Sequence, residues 1–208
     1  MNNTTTTSCG SLAKSIGERL SGSSFSNYQA TTLAQQEAVS RCRRYADKFE
    51  TAYKGGHNLM LLGPCGTGKD HLMVATIAMI VKRYPRLGNK IRFAWGNALT
   101  QRFQDAATGK SQENYSRLVE LYSEPHLLCI SDPAPASGDL SDFRKQVMVD
   151  LVDERYRRKK PIAMTINVAN RSQLAERIGD ATTDRILHGA MKVICDWPSF
   201  RATDSCFE

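Results

Sequence analysis

No stretch of this sequence is long and apolar enough to cross a bilayer. The longest apolar run, Leu72 to Val81, is about half of the ~20 residues that a spanning helix needs, so no membrane partner is expected. The N-terminus MNNTTTTSCG carries neither the basic nor the apolar region of a secretory signal, and the expected location is the cytoplasm. Cysteine is present but unpatterned. Cys9, Cys42, Cys65, Cys129, Cys195 and Cys206 include no C-x-x-C pair, and the four histidines do not gather near them. That scatter argues against a disulfide framework and a zinc site, and for buried or incidental thiols. No internal repeat is visible.

What is present suits one α/β domain of ordinary size. The 208 residues are 41% hydrophobic and 24% charged, the balance of a soluble globular chain with a real core. The net charge of +7 points to a polyanionic partner, though many basic proteins bind none. Residues 1–24 divide from the rest. The first ten are polar and Thr-rich, as in disordered segments. SLAKSIGERL then spaces Leu12, Ile16 and Leu20 four apart on a short helix, which SGSS ends. That stripe serves either as packing on its own domain or as a docking helix for a partner's groove. From residue 25 onward, apolar strands at 58–62, 90–95, 127–130, 161–166 and 192–196 alternate with helical patterns at 32–53, 69–84, 98–107, 111–123, 141–158 and 171–178. Such alternation predicts a parallel sheet with helices on both faces.

GPCGTGKDHL, residues 63–72, sits between the first strand and its helix. The spacing G-x-x-x-x-G-K is that of a phosphate-binding loop. Gly63, Gly66 and Gly68 let the backbone turn tightly, so that Gly63, Pro64, Cys65, Gly66 and Thr67 wrap a polyphosphate with main-chain N–H groups. Lys69 brings charge to the terminal phosphates, and the helix starting there, with Asp70 and His71 in its first turn, presents its positive dipole end. ATP is the expected ligand.

The magnesium side departs from the usual pattern. After the lysine such loops place a Ser or Thr hydroxyl, paired with an Asp and a catalytic Glu at the end of a later strand. Here the loop gives Asp70, and the strand HLLCISDP gives Ser131 and Asp132. Hydroxyl and carboxylate have changed places. Magnesium accepts any hard oxygen and keeps several waters, so Asp70, Ser131 and Asp132 remain a workable set. Asp132 would orient the attacking water from one methylene further back, and a displacement of about 1 Å can cost about a hundredfold in rate. Slow hydrolysis is therefore expected. The competing possibility is decay, with Asp70 repelling the phosphates.

With these blocks in view, the chain resembles the DnaC/IstB branch of AAA+ ATPases, which comprises bacterial and phage helicase loaders and their transposition relatives. SFSNYQ resembles the opening segment of the loaders' ATPase domain, and GPCGTGKDHL their loop. HLLCISDP resembles the second acidic motif, and PIAMTINVAN the strand ending in a sensor Asn, here Asn167. LAERIGDATTDRILHG resembles the segment with an arginine finger, most simply Arg185, with Arg177 second. CDWPSFR resembles the terminal aromatic segment whose arginine senses the γ-phosphate, here Arg201. The resemblance implies an AAA+ type parallel sheet with a minimal or absent lid, magnesium-ATP as cofactor, and catalytic roles for Asp132, Asn167, Arg185 and Arg201. It also implies self-association with Arg185 acting in trans, a hexameric replicative helicase as partner, and single-stranded DNA. The helicase contact would fall to Leu12, Ile16 and Leu20. A transposition helper or a non-hydrolysing adaptor on a vestigial fold are the alternatives.

For DNA, basic groups must meet phosphates and aromatics must meet bases. Two stretches offer both: Arg102 with Phe103, and DERYRRKKP with Arg155, Tyr156, Arg157 and Arg158. Each has an ordinary alternative. Phe103 suits a core, and the basic run suits a solvated helix end.

Overall fold

The computed structural model describes residues 12–133 and 141–202. Among these, β1 (Leu59–Leu62), β2 (Ile91–Trp95), β3 (Leu127–Ser131), β4 (Ile162–Ile166) and β5 (Met191–Ile194) form one parallel sheet in the order β2-β3-β4-β1-β5. All four pairings are parallel, so every strand leaves the sheet at the same end. The strands are near-continuous apolar runs because both faces are covered. Leu59 and Leu61 point into one core and Met60 and Leu62 into the other, as the two-residue side-chain period requires.

The first core is closed by α1 (residues 12–16), α3 (Leu33–Asp47), α4 (Phe49–Gly55) and α5 (Lys69–Arg83), with α2 (Glu18–Ser21) leaning on α5. After α6 (Pro85–Gly88) the chain crosses the sheet. There α7 (Gly96–Ala107), α8 (Tyr115–Ser123), α9 (Asp142–Arg157), α10 (Arg171–Ile178) and α11 (Asp180–Leu187) close the second core. The expected α/β architecture is therefore found, with differences that have local causes. The helix foreseen over 32–53 breaks at Lys48, which swings Phe49 into the core beside Tyr45, Tyr53 and Tyr84. The unassigned stretch after Ile178 is α11, divided from α10 by Gly179 at φ 86°.

Three groups assigned to partners are instead part of the packing. Leu12 and Ile16 are 9% and 6% exposed in the core shared with α3 and α5, and Leu20 packs against it. Leu12 and Ile16 have thus spent the apolar stripe of α1 on their own domain rather than on a helicase groove, and Leu20, on α2 beyond the break at Gly17, is half-buried against the same core. Phe103 is fully buried between Tyr115 and Tyr122 and is no stacking platform for a base. Arg155 is also fully buried, donating to the backbone carbonyls of Tyr122, Ser123, Pro125 and Pro161. It cannot reach a DNA phosphate. The polar tail before residue 11 lies outside the described residues.

Candidate nucleotide site

The loop after β1 is held from behind. The Thr67 carbonyl accepts from Tyr28 Oη and Trp197 Nε1, both at 3.0 Å, and the Phe200 N–H donates to the Gly66 carbonyl at 3.0 Å. The glycines are required by this wrapping. At Gly63 (φ 146°) a Cβ would stand 2.2 Å from the Cys195 carbonyl oxygen. At Gly68 (φ 81°) it would stand 2.7 Å from the Tyr28 ring. Lys69 opens α5 and is buried, its ammonium donating to the carbonyls of Gly63 at 2.9 Å and Pro64 at 2.6 Å. Burial lowers its pKa. Pro64 and Cys65 are exposed at the loop's tip, while His71 bonds the Ser24 carbonyl at 2.8 Å and meets the edge of Tyr28.

The acidic side brings together the ends of β3 and β4 and the first turn of α5. Ser131 closes β3 beside Thr165 of β4. Both hydroxyls donate to the same oxygen of Asp70, Ser131 at 2.8 Å and Thr165 at 2.7 Å. The loop carboxylate and the strand hydroxyl thus stand face to face. Asp132 follows with φ 46°, a backbone setting that costs of order 1–3 kcal/mol outside glycine and tends to mark functional sites. Its N–H donates to the Thr165 carbonyl at 3.0 Å, and its Oδ2 accepts from Asn167 Nδ2 at 2.6 Å. Its Oδ1 is buried without a protein partner. Burial, then the charge of Asp70, pushes the Asp132 carboxyl up to about 6, opposed by Lys69, Arg177 and the Asn167 bond.

This donor set fits magnesium. Among the described residues no three His, Cys, Asp or Glu side chains converge as a protein-only metal cage. Magnesium in phosphate chemistry takes one or two carboxylates, with phosphates and waters completing its shell, and the orphaned Asp132 oxygen is an acceptor awaiting a partner. Lys69, Asp70, Asp132, Asn167 and Arg201 border one cleft of about 720 Å3, a size suited to a small-molecule ligand. A larger hollow of about 970 Å3 lies by β2 and α8 at the opposite end of the strands, and holds none of these groups.

The remaining sequence-selected residues are dispersed. Arg185 pairs with Asp153 at 2.9 Å and lies beside His57 and Asn58, at the end of the sheet away from its own cleft. Arg177, by contrast, acts electrostatically on Asp132 of the same chain. Arg102 is held by Glu113 and by Tyr122 Oη, the latter at 3.1 Å. Arg157 and Arg158 both pair with Glu154, and Arg158 also with Glu124 at 2.6 Å; Tyr156 is 46% exposed beside His188. Thr165 was not singled out from the sequence, because one Thr near a strand end carries no signal until strand register places it opposite Ser131.

A strand–glycine loop–helix unit in a sheet ordered this way, with an acidic group at the end of β3, one strand removed from β1 across β4, defines a P-loop fold of the AAA+ type. More specifically, the chain belongs to the family of IstB-like ATP binding proteins, whose pattern matches residues 26–206. It is similar to the replicative helicase loader DnaC of Escherichia coli strain K12, at 26% identity over 180 residues, 86% of this chain and 69% of the relative. It is also similar to a putative ATP-binding protein in an insertion sequence of Mycobacterium tuberculosis, at 23% identity over 70% of this chain and 56% of that one. Among solved structures, the fold superposes on the DnaC helicase loader with a TM-score of 0.75 at 20% identity, covering 86% of this chain and 99% of that one.

Proposed function

We propose that the chain binds magnesium-ATP in this cleft and uses it to control the loading of a hexameric replicative helicase onto single-stranded DNA. The observation that carries the nucleotide half is the contact between Asp70 and Ser131, directly beside Lys69 and the Asp132–Asn167 pair. Lys69 would leave its two loop carbonyls for the phosphates. Asp70, Ser131 and Asp132 would hold magnesium, which supplies charge neutralisation at the terminal phosphates. Asn167 would keep Asp132 aimed at a water, and Arg201, bordering the cleft, would meet the γ-phosphate. Hydrolysis is slow, because Asp132 is a shorter acid than the usual Glu.

The helicase half is supported by similarity to DnaC. Its test is capture of a replicative helicase by the immobilised chain, with and without ATP. Nucleotide-dependent capture is expected; no capture in either condition sinks this half and leaves the nucleotide half standing. The insertion-sequence relative favours a second reading, a transposition helper, which would bind duplex DNA and a transposase instead.

Arg185 serves as the finger for a neighbouring copy. Its position away from its own cleft suits that role, which requires it to leave Asp153. Arg185→Ala should keep ATP affinity within about twofold while hydrolysis falls on the order of a thousandfold, the lower range for a finger. Equal turnover by variant and parent would remove Arg185 from catalysis. For DNA, Tyr156 and Arg157 remain accessible, Arg157 through an exposed ion pair of little strength.

A further inference from the structure

The N-terminal helices border the nucleotide cleft as well as the core. Leu12 and Ile16 anchor them, and the Trp95 indole N–H at the end of β2 donates to the Ser15 carbonyl at 3.1 Å. Further along, the Ser24 carbonyl is tied to His71 in the first turn of α5. Between these ties the chain crosses the mouth of the cleft. Gly17, at φ 85°, breaks the helix there, and Gly17, Glu18, Arg19 and Leu20 line the same cavity as Lys69, Asp70 and Asp132. About 720 Å3 remains with the segment in place. That is within the ~300–1,000 Å3 of small-molecule sites, so the segment bounds the cleft without filling it.

We infer that residues 12–21 are a fixed wall of the nucleotide site and that Arg19 is a further phosphate-binding residue at its triphosphate end. The crossing runs from Trp95 at the end of β2 to His71, the residue after Asp70, and Arg19 lines the cavity together with Lys69, Asp70 and Asp132. Among the described residues Arg19 forms no ion pair, and a guanidinium matches phosphate oxygens in a bidentate manner. Glu18 borders the same cavity and has the opposite effect on an anion. The inference rests on ATP occupying this cleft.

The test is calorimetric titration of ATP and ADP, with magnesium, into the wild type, Arg19→Ala, Glu18→Gln and Lys69→Ala. Arg19→Ala should weaken ATP by about tenfold, the scale of a charged hydrogen bond, and ADP by less. Glu18→Gln should bind ATP as well as the wild type or better. ATP should also slow trypsin cleavage after Arg19 several-fold. Equal ATP affinity of Arg19→Ala and wild type, or cleavage indifferent to ATP, overturns the wall while leaving the cleft a nucleotide site. Failure of the wild type to bind ATP, or full binding by Lys69→Ala, overturns the site itself and the wall with it.

Discussion

Ser131→Asp should weaken magnesium-ATP binding by about a hundredfold, or ~2.7 kcal/mol, and adding Asp70→Ser should recover most of that loss. Ser131 Oγ lies 2.8 Å from Asp70 Oδ1, and Asp132 follows in sequence. A carboxylate at position 131 would put like charges in contact and add negative charge opposite a triphosphate. Two carboxyls so placed cannot both stay ionised, and one loses its value as a metal ligand. The double variant restores one hydroxyl and one carboxylate with their places exchanged, and Thr165 remains as a hydroxyl donor at their side.

Asp70→Ser alone leaves two hydroxyls and no carboxylate at the pair. Its expected mark is a loss of the tightening that magnesium confers, with ATP binding in the metal's absence little changed or improved. The four proteins form a cycle whose coupling isolates the pair. Titration of each with ATP, with and without magnesium, reads it directly. A double variant no better than the worse single would show that the two positions do not share a metal.

That pairing was legible in the sequence because both members sit next to local landmarks. The lysine of the loop fixes position 70, and the end of an apolar strand fixes position 131. The strands were legible for the same reason: a strand buried on both faces is a short unbroken apolar run. What could not be read depended on contacts between distant segments. Thr182 and Thr183 are buried with Ile186, so the inward face of α11 is mostly polar and its period is hidden. Trp197, Tyr28 and Phe200 brace the phosphate loop from residues remote in sequence. The stripe at Leu12, Ile16 and Leu20 was visible, but its partner was not. The basic run after Asp153 reads as surface throughout because its composition outweighs its period. Met148, Leu151 and Val152 form a helical stripe on α9, and Arg155 lies on the same face, four after Leu151 and seven after Met148. Only that residue of the run turns fully inward.

Arg155→Met should therefore cost about 3–5 kcal/mol of stability, the scale for removing one side of a buried charged interaction. Its guanidinium joins the end of α8, the approach to β3 and the start of β4 through carbonyls at 2.6–3.2 Å. No carboxylate pairs with it among the described residues, and burial pulls its pKa down to about 9. The charge is stabilised by oriented carbonyl dipoles, of which the Pro161 carbonyl also accepts from the Leu128 N–H at 3.3 Å. Met would fill the space and remove the donor that gathers the carbonyls of Tyr122, Ser123 and Pro125. Lys would keep the charge without the planar fork that reaches them together, and should recover less than half the loss. Against a typical domain stability of about 5–15 kcal/mol, the Met variant would be marginal. Urea unfolding followed by circular dichroism measures this, with Arg157→Ala, an exposed pair, expected within about 1 kcal/mol of the parent. An Arg155→Met chain with the parental midpoint and weakened DNA binding would return Arg155 to the surface role that its neighbours in sequence suggested.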